Sequence, residues 1–227
     1  MNTEKKDSGP EVSPGLHRIT LVRSLTERTY VLRFDRGNMQ FRAGQHIIAG
    51  PEGELDQREY SIYSGEKDDY LEILIREVPF GNVSLKLKQS QPGQLLQVNG
   101  PFGSFVLETY DMFSRKLVFI ASGTGISPFR SFVRSYPGID YTLIHGVRYR
   151  NEAYERNEYD PGRYILCTSK ESNEGRKGRV TRFLPDFPVN RDMLFYLCGN
   201  NNMIYEVYHI LRDKGIPEEN ILSEVYF

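Results

Sequence analysis

The chain contains 227 residues, with 29 basic and 30 acidic side chains, a net charge of −1 at neutral pH and a hydrophobic content of 39%. This balance gives no general attraction to nucleic acid or to an anionic membrane, and no apolar run reaches the ~20 residues that a membrane-spanning helix needs. The two cysteines, Cys167 and Cys198, are too few for a disulfide framework or a four-cysteine metal or iron–sulfur site. The four histidines lack metal-ligand spacing, so we expect no metal, and a reducing cytoplasm is the simplest compartment.

The N-terminal part of the chain has the pattern of antiparallel β-structure. Residues 1–15 are polar and are predicted to be a disordered lead-in. From residue 16 to about 110, six short runs rich in Val, Ile, Leu and Tyr are separated mostly by Gly, Pro, Asn or Asp, which predicts an antiparallel barrel or sandwich. One helix is predicted within this part, in the segment GNVSLKLKQS, with Ser84 as its N-cap.

The pattern changes near residues 108–116, where we place the boundary between two domains. The run KLVFIASG is continuously apolar, as in a strand that is buried on both faces, and SPFRSFVRSY follows with helical spacing. Further strand-like runs are DYTLIHGVR, RYILCTSK, VTRFL and MLFYLCGN, and NMIYEVYHILRDKG is again helical. Strands that alternate with helices predict a parallel α/β domain over residues 115–227.

Two glycine-containing turns precede predicted helices and could accept an anion. The segment ASGTGISPFRSF runs from a strand through Gly123 and Gly125 into a helix with Pro128 in its first turn. Glycines let the backbone approach a ligand, and a helix N-terminus offers unpaired N–H groups, so this pattern indicates a pyrophosphate site. The segment PFGNVS, with Gly81 ahead of a helix, has the same arrangement. The alternative for each segment is an ordinary turn before a capped helix.

Two strand ends carry further candidate residues. The segment REYSIYSG places Arg58 and Tyr60 on one face of a strand and Ser61 on the other. A guanidinium beside a phenol can bind a phosphate and cover an aromatic plane, although an exposed Arg beside a core Tyr is the commoner arrangement. Cys198 and Gly199 end a predicted parallel strand, where open α/β sheets bind ligands, but a lone buried Cys is usually inert packing.

These motifs follow one another as Arg-x-Tyr-Ser, Gly-x-x-Ser, Gly-x-Gly-x-x-Pro, Cys-Gly and a terminal Glu-x-Tyr. In this order and spacing the chain, from about residue 16 to its end, resembles the ferredoxin–NADP reductase family. The resemblance implies a β plus α/β fold, in which a six-stranded antiparallel barrel binds FAD and a parallel α/β domain binds NADP. It implies that Arg58 contacts the FAD phosphates, Tyr60 packs on the isoalloxazine and Ser61 hydrogen-bonds near flavin N5. The implied FAD-binding residues are Arg58, Glu59, Tyr60, Ser61, Ile75, Arg76, Glu77, Val78, Gly81, Asn82, Val83, Ser84, Thr124, Tyr226 and Phe227.

The resemblance also implies a nicotinamide dinucleotide in the second domain. Its implied contacts are Gly123, Thr124, Gly125, Val147, Arg148, Ser169, Lys170, Arg179, Cys198, Gly199, Asn200, Asn201, Asn202 and Glu206. The 2′-phosphate of NADP is a dianion that needs basic partners, whereas NAD-binding sites prefer an acidic residue. Arg148, Ser169, Lys170 and Arg179 match the phosphate-binding positions, with Glu171 adjacent. We therefore favour NADP over NAD, and solvated surface cations are the alternative.

The end of the chain, EVYF, is expected to return to the active site. By resemblance, Ser61, Cys198, Glu224 and Tyr226 line the path of the hydride between nicotinamide and flavin. Tyr226 is expected to stack on the flavin face where the nicotinamide must later lie, with Phe227 beyond it. This placement would cover the two aromatic rings that end the chain.

The resemblance implies an FAD-dependent NADP oxidoreductase of the ferredoxin–NADP+ reductase type, which exchanges electrons between NADP(H) and a one-electron carrier. Because the chain has too few cysteines for its own cluster, we expect a separate acidic ferredoxin or flavodoxin as transient partner of a monomer. Candidate docking cations are Arg23, Arg28, Lys86 and Lys88. The alternatives are an NAD(P)H:flavin reductase, an oxygenase reductase component, and a non-catalytic subunit that senses redox state or transfers electrons with bound FAD and NADP.

Overall fold

The first domain is an antiparallel barrel of six strands. The computed structural model describes residues 15–79, 81–171 and 176–226, so most of the predicted lead-in lies outside the described residues. The strands are β1 (Leu16–Ser24), β2 (Thr29–Asp35), β3 (His46–Pro51), β4 (Arg58–Ser61), β5 (Tyr70–Arg76) and β6 (Leu95–Phe102). They pair in the order β4-β3-β6-β1-β2-β5, and a bridge between Ile62 and Ile73 joins the two ends of this sheet. The prediction of a six-stranded antiparallel barrel is therefore confirmed.

Helix α1 (Asn82–Gln89) connects β5 to β6 and packs on the barrel. Val83 and Leu87 enter the barrel core, because they lie four residues apart on one helix face. The N-cap is Gly81, so the prediction of Ser84 as N-cap is wrong. Ser84 lies inside the first turn, and its Oγ accepts a hydrogen bond from the backbone N–H of Val78 at 3.2 Å. The serine thus fastens the preceding loop to the helix.

The second domain is a parallel six-stranded sheet with helices. Helix α2 (Thr109–Ser114) lies in the predicted boundary region, and the strands that follow are β7 (Leu117–Ser122), β8 (Tyr141–Val147), β9 (Tyr164–Thr168), β10 (Arg176–Lys177), β11 (Leu194–Asn200) and β12 (Ile221–Tyr226). The helices are α3 (Ser127–Ser135), α4 (Val180–Phe183) and α5 (Asn201–Asp213). The strand-like interpretation of VTRFL is wrong, since this segment forms α4. Its apolar run is too short for periodicity to separate strand from helix.

The strand order β10-β9-β8-β7-β11-β12 places β7 between β8 and β11. The chain therefore proceeds from β7 to one side and later returns to the other side, which makes the carboxyl end of β7 a topological switch point. The tight 3₁₀ turn Gly123–Ile126 lies there, immediately before α3. This is the edge of the sheet at which open α/β folds bind ligands.

The two domains share a continuous core. Val31, Tyr63 and Leu74 of the barrel belong to the same buried cluster as Phe129 and Phe132 of α3. The cluster sets the position of the barrel against the sheet by close packing, which resists deformation. Among the described residues, no helix is long and apolar enough to cross a membrane.

A buried ion pair lies beside this shared core. The Arg130 guanidinium on α3, only 3% exposed, donates to the Glu72 carboxylate of β5 at 3.0 Å and to the Tyr63 carbonyl at 2.9 Å. It also forms two hydrogen bonds with Glu158, at 2.8 and 2.9 Å. Glu72 is fully buried and receives two further hydrogen bonds from Arg33. The charges are thereby paired in both domains, as buried ions require.

Candidate active site

A cavity of about 680 Å³ lies between the barrel and the second domain. Strand β4, the end of β5, the start of α1, the 3₁₀ turn and strand β12 all contribute to its wall. The predicted FAD-binding residues on this wall are Arg58, Glu59, Tyr60, Ser61, Arg76, Val78, Gly81, Asn82, Val83, Ser84 and Thr124. The fold therefore brings together residues that are spread over more than sixty positions of the sequence.

The wall of this first cavity combines a cation, a phenol and a helix N-terminus. Arg58 is exposed at the start of β4, and burial raises the pKa of Tyr60 to about 12, which keeps the phenol neutral. Helix α1 begins on the same wall with Gly81 as its N-cap, and its first turn contains no acidic side chain. Unpaired N–H groups and the positive end of the helix dipole favour an anion at this place.

Glu224 connects the second domain to the barrel at this cavity. The Ser61 hydroxyl donates to Glu224 Oε2 at 2.8 Å, and His46 Nδ1 lies 3.5 Å from Glu224 Oε1. Ser61 and His46 are directly opposite each other in the β3–β4 pairing, so both reach the same carboxyl group. Burial raises the pKa of Glu224 above its ordinary value, while Ser61 and His46 act in the opposite direction. The terminal strand thus returns to the barrel, as the EVYF segment predicts.

A second cavity of about 750 Å³ lies at the carboxyl edge of the parallel sheet. The predicted nucleotide-binding residues on its wall are Gly123, Thr124, Val147, Arg148, Ser169, Lys170, Arg179, Gly199, Asn200, Asn202 and Glu206. One cavity is therefore lined by the three cations and the hydroxyl that follow β8 and β9 or precede α4, namely Arg148, Ser169, Lys170 and Arg179. Glu152 and Glu206 also lie on this wall, and Glu152 Oε2 accepts the backbone N–H of Arg148 at 2.8 Å.

The glycine turn after β7 packs directly on the end of β11. A Cβ atom at Gly125 would lie 2.3 Å from the Cys198 carbonyl oxygen, and one at Gly199 would lie 2.8 Å from the Ser122 carbonyl oxygen. Only glycines permit this close approach of backbone to backbone. Thr124, in the middle of the turn, lines both cavities, and so does Arg76 of the barrel. The two cavities therefore adjoin each other at Thr124 and Arg76.

Several predicted residues do not line either cavity. The Ile75 side chain is buried in the barrel core, Glu77 pairs with Lys88 at 2.6 Å, and Asn201 is exposed at the start of α5. Gly125, within the glycine turn, and Cys198, on which it packs, are both buried. The direct ligand contacts predicted for these residues remain predictions. Tyr226 is the last residue of β12, and Phe227 lies outside the described residues. The places expected for their two rings stay predictions.

Other wall residues were not identified from the sequence. His46, Gln57, Leu74 and Val225 line the first cavity, and Ser122, Gly146, Glu152, Val180, Thr181 and Met203 line the second. His46 reaches the site only through its pairing with β4, which no local pattern reveals. Within the described ranges, no group of three or more His, Cys, Asp or Glu side chains is arranged to hold a metal ion.

Two family models match consecutive parts of the chain. Residues 18–107 match the oxidoreductase FAD-binding domain, and residues 119–209 match the oxidoreductase NAD-binding domain. Together these are the domains of an FAD-dependent oxidoreductase that binds a pyridine nucleotide. The chain belongs to the oxidoreductases with this pair of domains, the ferredoxin–NADP reductase type that the series of motifs indicates.

Two curated relatives are similar to this chain in sequence. The toluate 1,2-dioxygenase electron transfer component of Pseudomonas putida is 28% identical over 92% of this chain and 66% of its own length. The reductase component 1 of terephthalate 1,2-dioxygenase from Comamonas is 28% identical over 82% of this chain and 60% of its own length. This chain thus spans less than two thirds of the length of these relatives.

Among solved structures, a ferredoxin NADP+ reductase from Neisseria gonorrhoeae with bound FAD and NADP has a TM-score of 0.84 at 22% identity, covering 93% of this chain and 98% of that one. The cytochrome P450 reductase of Amycolatopsis has a TM-score of 0.82 at 25% identity, covering 97% of this chain and 73% of that one. The same two-domain fold therefore occurs in reductases with different electron acceptors.

Proposed function

We propose that this protein is a ferredoxin (or flavodoxin)–NADP+ reductase, which exchanges electrons between NADP(H) and a one-electron carrier protein with FAD as its cofactor. The observation that carries the proposal is the junction of the two cavities at Arg76 and Thr124, close to the Ser61–Glu224 hydrogen bond. Two ligands that occupy the two cavities would meet at this junction. Hydride transfer requires two rings to be held together and shielded from water.

The first cavity suits FAD by its chemistry. An arginine and a helix N-terminus can bind the two phosphates, and Tyr60 offers a flat, neutral ring. FAD, when bound, supplies the ability to accept a hydride and to release single electrons. In this proposal Arg58 and residues 81–84 bind the phosphates, Tyr60 orients the ring system, and Ser61 with Glu224 holds a polar contact at the reacting edge. Cys198 and Tyr226 are proposed to flank the hydride path, as the resemblance implies.

The second cavity supports NADP by its charge. Arg148, Lys170 and Arg179 provide three cations, and Ser169 provides a hydroxyl, on the wall of one cavity. A phosphate dianion is bound well by such groups through charge-assisted hydrogen bonds. Glu171 uses its Oε2 to accept the backbone N–H of Arg150 at 2.8 Å, so this carboxylate stabilises the loop. The arrangement therefore favours NADP over NAD.

The electron acceptor is proposed to be a separate carrier, and the ion pairs of the chain limit where it would dock. Arg23 pairs with Glu155 at 2.5 Å, Lys86 with Glu54 at 2.7 Å, and Lys88 with Glu77 at 2.6 Å. These three predicted docking cations are therefore neutralised by carboxylates of the same chain and do not form a free positive surface. A transient complex of a monomer and a cytoplasmic location remain parts of the proposal.

The second candidate function is a reductase component of an oxygenase. It is favoured by the similarity to the toluate and terephthalate 1,2-dioxygenase proteins. Two further alternatives are an enzyme that reduces free flavin and a non-catalytic redox sensor. They are distinguished from the two candidate reductases by comparing electron transfer to a ferredoxin, a flavodoxin and free FMN under identical conditions. A clear preference for free FMN, or a yellow protein without NADPH:ferricyanide activity, would contradict the main proposal.

The test of the proposed function is stopped-flow reduction of the purified protein by NADPH and by NADH, followed by flavin absorbance near ~450 nm. We expect fast bleaching with NADPH and slow bleaching with NADH. Equal rates would retain the FAD site and refute the 2′-phosphate site. Absence of bleaching in flavin-loaded protein would refute the reductase and favour a non-catalytic role.

A further inference from the structure

His145 uses both of its ring nitrogens inside the protein. It lies on β8, opposite Ala121 of β7 and Leu166 of β9, and its side chain is completely buried. Nε2 lies 2.8 Å from the Gly123 carbonyl oxygen, and Nδ1 lies 2.7 Å from the Tyr164 hydroxyl oxygen. No pattern in the sequence separates this histidine from the other three.

The chemistry of these partners fixes the hydrogen atoms. A carbonyl oxygen can only accept, so Nε2 must carry the hydrogen that is donated to Gly123. Burial lowers the pKa of His145 to about 4, so the ring is neutral near pH 7 and Nδ1 has a free lone pair. The Tyr164 hydroxyl therefore donates to Nδ1 and selects this tautomer. The result is a directional chain from Tyr164 through His145 to Gly123.

These two hydrogen bonds lead to the peptide unit that joins Gly123 to Thr124. In a trans peptide the carbonyl and the following N–H point in opposite directions. If the Gly123 carbonyl is held against the buried imidazole, the Thr124 N–H is directed away from it, on the side of the cavities that Thr124 lines. Gly123 has a φ of +55°, a left-handed conformation that glycine adopts without steric cost, so the turn can present its carbonyl to the imidazole. The Ser127 hydroxyl holds the next carbonyl, that of Thr124, at 2.8 Å.

We propose that His145, oriented by Tyr164, is a positioning residue that sets the Gly123–Thr124 peptide for binding the pyrophosphate of the nicotinamide dinucleotide. The inference rests on the proposed function, because it assumes that a dinucleotide occupies the second cavity. Packing alone does not account for the arrangement, since an apolar ring would fill the same space without needing two hydrogen-bond partners. Neither His145 nor Tyr164 lines either of the two cavities, so their effect must pass through the turn.

The test uses three variants that separate hydrogen bonding from packing. His145→Asn keeps an amide near the place of Nδ1 and removes the donor to Gly123, whereas His145→Gln keeps an amide donor near the place of Nε2. Tyr164→Phe removes only the hydroxyl that selects the tautomer. Each FAD-loaded protein is titrated with NADP+ and with 2′-AMP, and the dissociation constants are measured by calorimetry. The second probe lacks the pyrophosphate and reports on the site of Arg148, Lys170 and Arg179 alone.

We expect His145→Asn to weaken NADP+ binding about ten-fold, the loss of one buried hydrogen bond, and to change 2′-AMP binding by less than about two-fold, as for independent sites. His145→Gln should restore most of the NADP+ affinity, and Tyr164→Phe should weaken it by about three-fold as a neutral hydrogen bond is lost. Unchanged NADP+ binding in His145→Asn, or an equal loss for both probes, overturns the proposal. If His145→Asn does not fold, Tyr164→Phe decides by the same comparison.

The wild-type titration separates this inference from the proposed function. A wild-type protein that binds neither NADP+ nor 2′-AMP refutes the proposed NADP site itself, and the positioning role falls with it. A wild-type protein that binds both, together with variants that bind both equally well, refutes only the role of His145.

Discussion

Replacing Arg130 tests whether the buried ion pair stabilises the union of the two domains. In Arg130→Met the methylene stem is largely retained, but Glu72, fully buried, loses the donor at 3.0 Å and the Tyr63 carbonyl loses one at 2.9 Å. Removing one partner of a buried pair costs about 3–5 kcal/mol, because a buried charge is left without compensation. Arg33 still donates to Glu72, so we expect the lower end, about 3 kcal/mol.

The assay is urea denaturation at pH 7, followed by circular dichroism, with Arg134→Met as the matched control. Arg134 lies on the same helix and pairs with Asp68 at 2.9 Å, but its side chain is 30% exposed, so its loss should cost about 1 kcal/mol or less. A second variant, Arg130→Met with Glu72→Leu, removes both charges and should recover part of the loss. If Arg130→Met costs no more than Arg134→Met, the reasoning about the buried pair is refuted.

Three further predictions concern the site. Arg179→Glu should raise the KM for NADPH at least about ten-fold through a lost charge-assisted contact, with the KM for NADH nearly unchanged in steady-state assays. Burial raises the pKa of Glu224, so the unfolded chain releases this proton at a lower pH than the folded protein does. The free energy of unfolding therefore falls as the pH rises from the unfolded pKa through the folded pKa. Glu224→Gln should therefore melt at a higher temperature than wild type at pH 8, with the difference vanishing near pH 4. Deleting Tyr226 and Phe227 should tighten NADP+ binding and shift the preference between NADPH and NADH, as measured by titration and by flavin reduction.

Each of these predictions has its own control. Arg182 is on the same helix as Val180 but does not line the second cavity, so Arg182→Glu should leave both KM values close to wild type. A similar rise for Arg182→Glu would mean that general charge, rather than the site, determines NADPH affinity. A melting difference for Glu224→Gln that does not depend on pH would contradict the titration argument. Unchanged nucleotide affinity in the truncated protein would remove the role assigned to the terminal aromatic residues.

Local sequence patterns are sufficient to predict the barrel and the parallel sheet, whereas most of the predicted residues on the cavity walls come from the resemblance that the series of motifs carries. Alternating short runs predict the barrel, and continuous apolar strands with intervening helices predict the parallel sheet, because both patterns follow from local backbone periodicity. The glycine turns were also visible, since a close approach of backbone to ligand or strand leaves room for no other residue. The sequence misleads where local signals are ambiguous: Ser84 holds a loop instead of capping a helix, and the five residues VTRFL are too few for a period to distinguish helix from strand.

The contacts between distant residues became apparent only in the folded chain. Glu224 contacts Ser61 across 163 positions of the chain, and Arg130 reaches Glu72 across 58. His145 connects Tyr164 to Gly123 only because three parallel strands place them side by side. Such contacts depend on strand order and on the packing of one domain against the other, which no local pattern of residues encodes. The hydrogen-bonded partners that shape this site are therefore a property of the folded chain, since only folding removes them from water and makes their pairing obligatory.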